Sequence, residues 1–267
     1  MLEPWYWNKQ SLLQKYKKKI YFNLVFQRTI TENTIFHAIT PIEKDNLQKL
    51  LPKQKIIVIP NAIGLDKENA YDNAVKKIVP EKTFLFLGRL HPVKGLDLLV
   101  NAFYQANLDS EWRLVLAGPE SVPQYIEKLK AIVLNLGLSN RVEFTGPIFG
   151  VDKQELIRKA WVVVFPSYCE VIGMVNLEAS ACMVPSITTF ETGLWDWEEG
   201  GGILIHPDVY ELASSILKTS RWSLRERLDY GNKSYTLVAN KYSWDTVAPQ
   251  WEALYSSLIT DHSLWNK

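Results

Sequence analysis

The sequence predicts an α/β fold built on a doubly wound parallel sheet, preceded by part of a second, smaller unit. Three observations predict it. Between residues 83 and 205, short apolar runs alternate with stretches of helical periodicity. The runs are apolar throughout rather than at every second residue, as strands covered on both faces are. Most of them stop at glycine or proline: Gly88, Gly118-Pro119, Gly146-Pro147 and Pro166.

The elements follow in order. From about residue 9 to 28, Leu12, Leu13, Tyr16, Ile20 and Leu24 recur at helical spacing, with lysines on the other side. Residues 34–39 read as a short buried strand, and Pro41 opens a helix to about Leu51, because proline suits a first turn. Ile56 to Ile59 is a strand stopped by Pro60-Asn61, and residues 64–80 read as a linker. Strands at 83–87, 112–117, 141–145, 161–165 and 185–189 follow, with helices at about 96–106, 123–136, 152–160 and 176–182 between them. Five such strands suffice for one doubly wound domain, and Ile203-Leu204-Ile205 is a last short strand. Helices at roughly 208–219, 223–239 and 244–259 close the chain, and Gly200-Gly201-Gly202 reads as a turn.

The 267 residues are 47% apolar and 22% charged, which excludes wholesale disorder and leaves room for a sizeable core. No apolar run reaches the ~20 residues of a membrane-spanning helix. The first residues lack the cationic head and apolar stretch of a secretory signal, so the expected address is the cytoplasm. Cys169 and Cys182 are too few for a disulfide framework or a four-ligand zinc site, and His37, His91, His206 and His262 show no metal spacing. The net charge of +1 hides a split. Residues 1–60 hold ten Lys/Arg against four Asp/Glu, and the remainder holds twenty against twenty-five. That balance gives no support to a general nucleic-acid surface. The basic excess centres on Lys15 and Lys17 to Lys19, beside Trp5, Tyr6 and Trp7. Two uses fit it: a solvated helix face, or a peripheral contact with anionic lipid.

Ligands of open α/β sheets bind beyond the carboxyl ends of the strands, so the loops there are the candidate site. The first reads Gly88-Arg89-Leu90-His91-Pro92-Val93-Lys94-Gly95, with two cations just ahead of a helix N-terminus. Arginine's fork and lysine's point charge suit a diphosphate, and the helix start favours an anion. Two solvated surface cations would give the same string. The second loop, Glu170 to Glu178, puts one carboxylate in a loop and one in a helix beginning near Val175. Such carboxylates accept sugar and ribose hydroxyls, and Gly173 permits close backbone approach. Helix-start glutamates are also common for dipole reasons alone. No G-x-S-x-G, P-loop or G-x-G-x-x-G motif is present.

Taken in order, Gly88 to Asp97, Leu116-Ala117-Gly118, Val142 to Gly146, Phe165-Pro166-Ser167 and Glu170 to Ala179 resemble the C-terminal domain of family-four (group 1) glycosyltransferases. These are GT-B enzymes with two Rossmann-like domains facing a cleft. Pro60-Asn61 also resembles the family's Pro-Asn-Gly, with Ala62 in place of the glycine. The resemblance, over roughly residues 30–260, implies retaining glycosyl transfer from a UDP- or GDP-sugar to a glycan or lipid-linked acceptor in polysaccharide or cell-envelope assembly. It implies no metal and no cofactor beyond the donor. By position, Arg89 and Lys94 would bind the diphosphate, and Glu178 the ribose. Glu170, with the backbone of Gly173, Met174 and Val175, would hold the transferred sugar and phosphate. Ile148 would border the base, and Asn61 would lie near the cleft.

Against that pattern, Met183 stands where a glycine is usual. Thr188-Thr189-Phe190-Glu191-Thr192-Gly193 replaces a Gly-Gly-Ile-Pro-Glu segment. The resemblance makes residues 1–55 a remnant of the N-terminal, acceptor-side domain and 56–243 the nucleotide-sugar domain. Residues 244–267 become a helix that packs back on the N-terminal part. Three outcomes follow: a transferase working alone or with a partner chain that supplies the rest, a non-catalytic nucleotide-sugar-binding half that needs a partner chain, or an inactive fragment. An exposed apolar patch near residues 5–30 is expected.

Overall fold

The computed structural model describes residues 11–65 and 79–260. Most of the 64–80 linker and the Trp5–Trp7 stretch therefore lie outside the described residues. The chain divides into two compact units, Met1–Asn61 with Val247–Lys267, and Ala62–Thr246.

In the first unit, α1 (Leu12–Tyr21) starts at Ser11, whose hydroxyl accepts from the Gln14 amide while the Gln14 side chain caps in return. The single helix expected over 9–28 is interrupted. Phe22–Phe26 form a π-turn before Gln27–Thr29 resume the α-helix. The wider turn stacks Phe22 on Phe26 at 5.3 Å and brings Phe26 to Phe36 at 6.4 Å. The apolar stripe of α1 faces solvent, with Leu12 85% and Tyr16 64% exposed, while Lys15 and Lys18 are half-buried. Strand β1 (Ile35–Ala38) pairs in parallel with β2 (Lys55–Val58) through the crossover helix α2 (Pro41–Leu50). Strand β2 thus belongs with β1, and the unit boundary falls at Asn61–Ala62 rather than near residue 55. His37 bonds the Ile59 carbonyl at 2.7 Å and meets the Trp251 ring at 4.6 Å.

The second unit is a parallel sheet in the order β5-β4-β3-β6-β7-β8. Its strands are β3 (Thr83–Leu87), β4 (Arg113–Ala117), β5 (Val142–Gly146), β6 (Val162–Phe165), β7 (Ser186–Thr189) and β8 (Ile203–Ile205). The short Ile203–Ile205 run forms the last strand, as expected, and pairs with β7 as a full member of the sheet. The connecting helices are α3 (Leu96–Gln105), α4 (Pro123–Asn135), α5 (Gly150–Lys159) and α6 (Met174–Ala181). Helices α7 (Val209–Ser220), α8 (Leu224–Lys241) and α9 (Trp244–Thr260) follow.

Strands β3, β4, β6 and β7 are almost wholly buried, and their alternate residues feed two cores. Phe84, Phe86, Leu114, Leu116, Val162 and Val164 face one. Leu85, Leu87, Val115, Ala117 and Val163 face the other. A sheet covered on both faces needs continuously apolar strands, which is the pattern the sequence carries. Beneath it, Arg227 on α8 is buried and donates to the carbonyls of Ala160 (2.6 Å) and Trp161 (2.9 Å). Burial pushes its pKa down to about 10. Among the described residues no helix is long and apolar enough to cross a membrane.

Helix α6 ends in a Schellman motif. The Met183 amide donates to Ser180 O at 2.9 Å, and the Val184 amide to Ala179 O at 2.9 Å. Met183 holds the left-handed position with φ 57°, where a side chain strains the backbone. Replacing Met183 with glycine is therefore expected to raise stability by about 0.5–1 kcal/mol. A denaturant midpoint at or below the parent's would show that the half-buried Met183 side chain contributes more than the strain costs.

Candidate functional site

The direction of winding reverses between β3 and β6, which are neighbours in the sheet though far apart in sequence. At such a switch point the loops that leave adjacent strands diverge and open a crevice at their carboxyl ends. Here those loops are 88–95 and 166–173. They are bolted together by backbone: the Tyr168 amide donates to Val93 O at 2.8 Å, and Ser167 Oγ lies 3.0 Å from the same carbonyl.

Lys94 and Glu170, predicted separately from two loops, meet across this crevice as an ion pair. The Lys94 side chain is 10% exposed and that of Glu170 21%. Lys94 Nζ also lies 5.1 Å from the centre of the Phe165 ring. Ser167 Oγ stands 3.2 Å from the same Glu170 oxygen. Arg89 behaves differently. It is exposed and makes no hydrogen bond or ion pair with any described residue. The two expected cations are thus unlike each other: one is open to a ligand, and the other is balanced by a carboxylate. Together with Glu170 they leave the crevice one positive charge.

Helix α6 starts at Gly173, and a Cβ there would run into the Asn176 side chain. Of the three amides expected to face a ligand, two are spoken for. Gly173 donates to Thr192 O at 2.9 Å and Met174 to Ile172 O at 3.0 Å. The Val175 amide, in the first turn, has no acceptor outside the helix among the described residues. Asn176 is fully buried, with its amide nitrogen 3.0 Å from Thr188 Oγ1 and its Oδ1 without a described partner. A second buried oxygen, Glu191 Oε2, is likewise unpaired among the described residues.

Glu178, one turn further along α6, is bound by Lys153 of α5 at 2.8 Å. Ile148 is half-buried against the core on the α5 side of the sheet, while its neighbour Phe149 is 73% exposed. Asn61 is half-buried and belongs to the first unit, while the other candidates belong to the second. Cys169 is buried, and burial raises the Cys182 thiol above its ordinary pKa. At Cys182 that burial works against the thiolate a nucleophile needs.

Two residues were missed from sequence. Ser167 stood inside a recognised string, Phe165-Pro166-Ser167, but its role depends on reaching Glu170 and Val93. Lys153 had a weaker signal, as a cation in the first turn of a helix that follows a candidate loop.

The arrangement offers an open guanidinium, a helix start and two carboxylates held by lysines. It suits an anion joined to hydroxyl-bearing rings. Comparison with known proteins agrees. An uncharacterized glycosyltransferase of Methanocaldococcus jannaschii is 33% identical over 179 residues, 66% of this chain and 45% of the relative. Sucrose-phosphate synthase from Thermosynechococcus elongatus is 27% identical, with a TM-score of 0.69 over 84% of this chain and 58% of that one. HepE from Anabaena, solved in complex with UDP-glucose, has a TM-score of 0.66 at 21% identity, over 83% and 63%, a likeness of fold. The chain spans about half the length of the curated relatives it matches. The family model for glycosyl transferases group 1 matches residues 67–233, across the six-stranded sheet and both crevice loops, and the chain belongs to that family.

Proposed function

We propose that the second unit is the donor-side half of a retaining glycosyltransferase that takes a nucleoside diphosphate sugar. The observation that carries the reading is the meeting of Lys94 and Glu170 across the switch point, with Arg89 exposed on the same loop as Lys94. In the transfer, the bond from the sugar's anomeric carbon to the diphosphate oxygen breaks. The diphosphate leaves with the electron pair, and an acceptor hydroxyl adds to the carbon and passes its proton to the departing diphosphate oxygen. Arg89 and Lys94 stabilise the charge that grows on the departing oxygen. The Val175 amide supplies a neutral donor to the same group. Glu170 accepts hydroxyls of the transferred sugar, and Glu178, steadied by Lys153, accepts the ribose diol. Ile148 borders the base. The bound UDP-glucose of HepE supports a uridine nucleotide as the first donor to try.

The polysaccharide or cell-envelope role, the cytoplasmic address and a partner chain that completes the cleft belong to the same proposal. A second reading is a nucleotide-sugar-binding half without turnover. Calorimetry with UDP- and GDP-sugars, followed by an assay for slow donor hydrolysis, separates the two: binding with release of free sugar supports the enzyme, and binding alone supports the module. Arg89→Ala is expected to weaken UDP-sugar binding by about 1.5–3 kcal/mol, the value of a charge-assisted hydrogen bond. An unchanged Kd would remove Arg89 from the diphosphate site.

A further inference from the structure

Beyond the crevice, the carboxyl ends of β7 and β8 carry an aromatic cluster. Phe190 follows β7 directly and His206 follows β8, and their rings lie 5.1 Å apart. Trp195 meets Phe190 edge to face at 6.4 Å. Its ring is 63% exposed, although it is far from loose. Its Nε1–H donates to Phe190 O at 3.0 Å, and it stands between Leu194 and Trp197, both fully buried. Gly193, at φ 73°, turns the chain so that this reach is possible. The backbone around Trp195 is thus anchored on both sides while the indole is held out to solvent.

The cluster shares a frame with the crevice. The Glu170 amide donates to Glu191 O, and the Gly173 amide to Thr192 O, each at 2.9 Å. Ring faces carry partial negative charge and attract polarised C–H groups as well as cations. The charge nearby decides what stacks. Glu191, Asp196, Glu198, Glu199 and Glu211 stand in the surrounding segment, and Lys241 answers only Asp196 and Glu199. A phosphate-bearing base or lipid is repelled there. A neutral ring with a C–H face and a hydroxyl rim is not. The rim has partners: His206 Nδ1 is 3.2 Å from Glu211 Oε1, which leaves Nε2 as an acceptor while the ring is neutral. A ring so open is a ledge rather than a cage enclosing a cation.

We propose that Phe190, Trp195 and His206 form a stacking subsite for a neutral pyranose of the saccharide acceptor. Its role as an acceptor site rests on the glycosyl-transfer reading; pyranose binding itself does not.

The test is saturation-transfer NMR on the whole chain with maltotriose and chitotriose as probes, myo-inositol as a control and UDP present. At least one trisaccharide should receive saturation at its ring C–H protons. Trp195→Ala should weaken its binding roughly three- to tenfold, and Trp195→Phe should keep most of it. Transfer that is insensitive to Trp195→Ala in a folded variant overturns the proposal. So does the absence of transfer to either trisaccharide, or equal transfer to myo-inositol. A separate UDP titration keeps the two readings apart: saccharide binding without UDP binding sinks the donor site and leaves this subsite standing.

Discussion

Replacing Lys94 with alanine is expected to lower the melting temperature by ~5–10 °C and to abolish measurable UDP-sugar binding, two losses with different causes. The stability loss comes from Glu170. With Lys94 gone, a largely buried carboxylate keeps Ser167 as its neighbour and loses its counter-charge. Breaking a fully buried ion pair from one side costs about 3–5 kcal/mol. The Glu170 side chain retains 21% exposure, so water screens part of that, and about 2–3 kcal/mol is expected. For a unit of this size each kcal/mol shifts the midpoint by about 2–4 °C. The binding loss comes from the missing cation, and it separates cleanly from the first. In the double variant Lys94→Met with Glu170→Leu, the unpaired charge is gone, so stability should recover while binding stays lost. A single variant as stable as the parent would show that the pair contributes nothing to the fold. A double variant that still binds UDP-sugar would place the diphosphate elsewhere.

That pair also shows where sequence reasoning ends. The strands were legible because burial on both faces forces runs such as Thr83-Phe84-Leu85-Phe86-Leu87, and a glycine at the strand end marks where the chain must turn. The rule that ligands sit at carboxyl ends then pointed to Arg89, Lys94 and Glu170 without any contact being known. Which of them is free was not legible. Lys94 and Glu170 meet only because β3 and β6 are neighbours, and that adjacency is a property of winding, not of local pattern. Lys153 finding Glu178 is the same case. The stretch expected as a helix over 9–28 is helical from Leu12 to Thr29 and departs only in its π-turn, for another reason. Periodicity survives a π-turn almost intact, so Phe22–Phe26 reads as α-helix until the stacking of its rings is seen. Strand β2 has the apolar run of a sheet member, and only its partner, β1, shows which unit it belongs to.

Gly95→Ala should cost about 2–5 kcal/mol and reduce UDP-sugar affinity with it. Gly95 begins α3 at φ 69°, in the left-handed region, where a side chain costs roughly 1–2 kcal/mol. A Cβ there would also be driven into the carbonyl oxygen of Pro166, a backbone atom that no rotamer change can move aside. Such overpacking adds roughly 1–3 kcal/mol. The strain has one place to go. Pushing Pro166 back stretches the Tyr168–Val93 and Ser167–Val93 bonds that hold the two crevice loops together, and it draws Glu170 away from Lys94. Gly137 provides the internal control. It has nearly the same φ, 68°, but nothing within 4 Å of a Cβ. Gly137→Ala therefore measures the backbone cost alone, about 1–2 kcal/mol, with binding untouched. The difference between the two variants is the energy of the close approach between the loops. Equal losses in both would mean that the crevice is not braced at Gly95, and the coupling of stability to binding would fall with it.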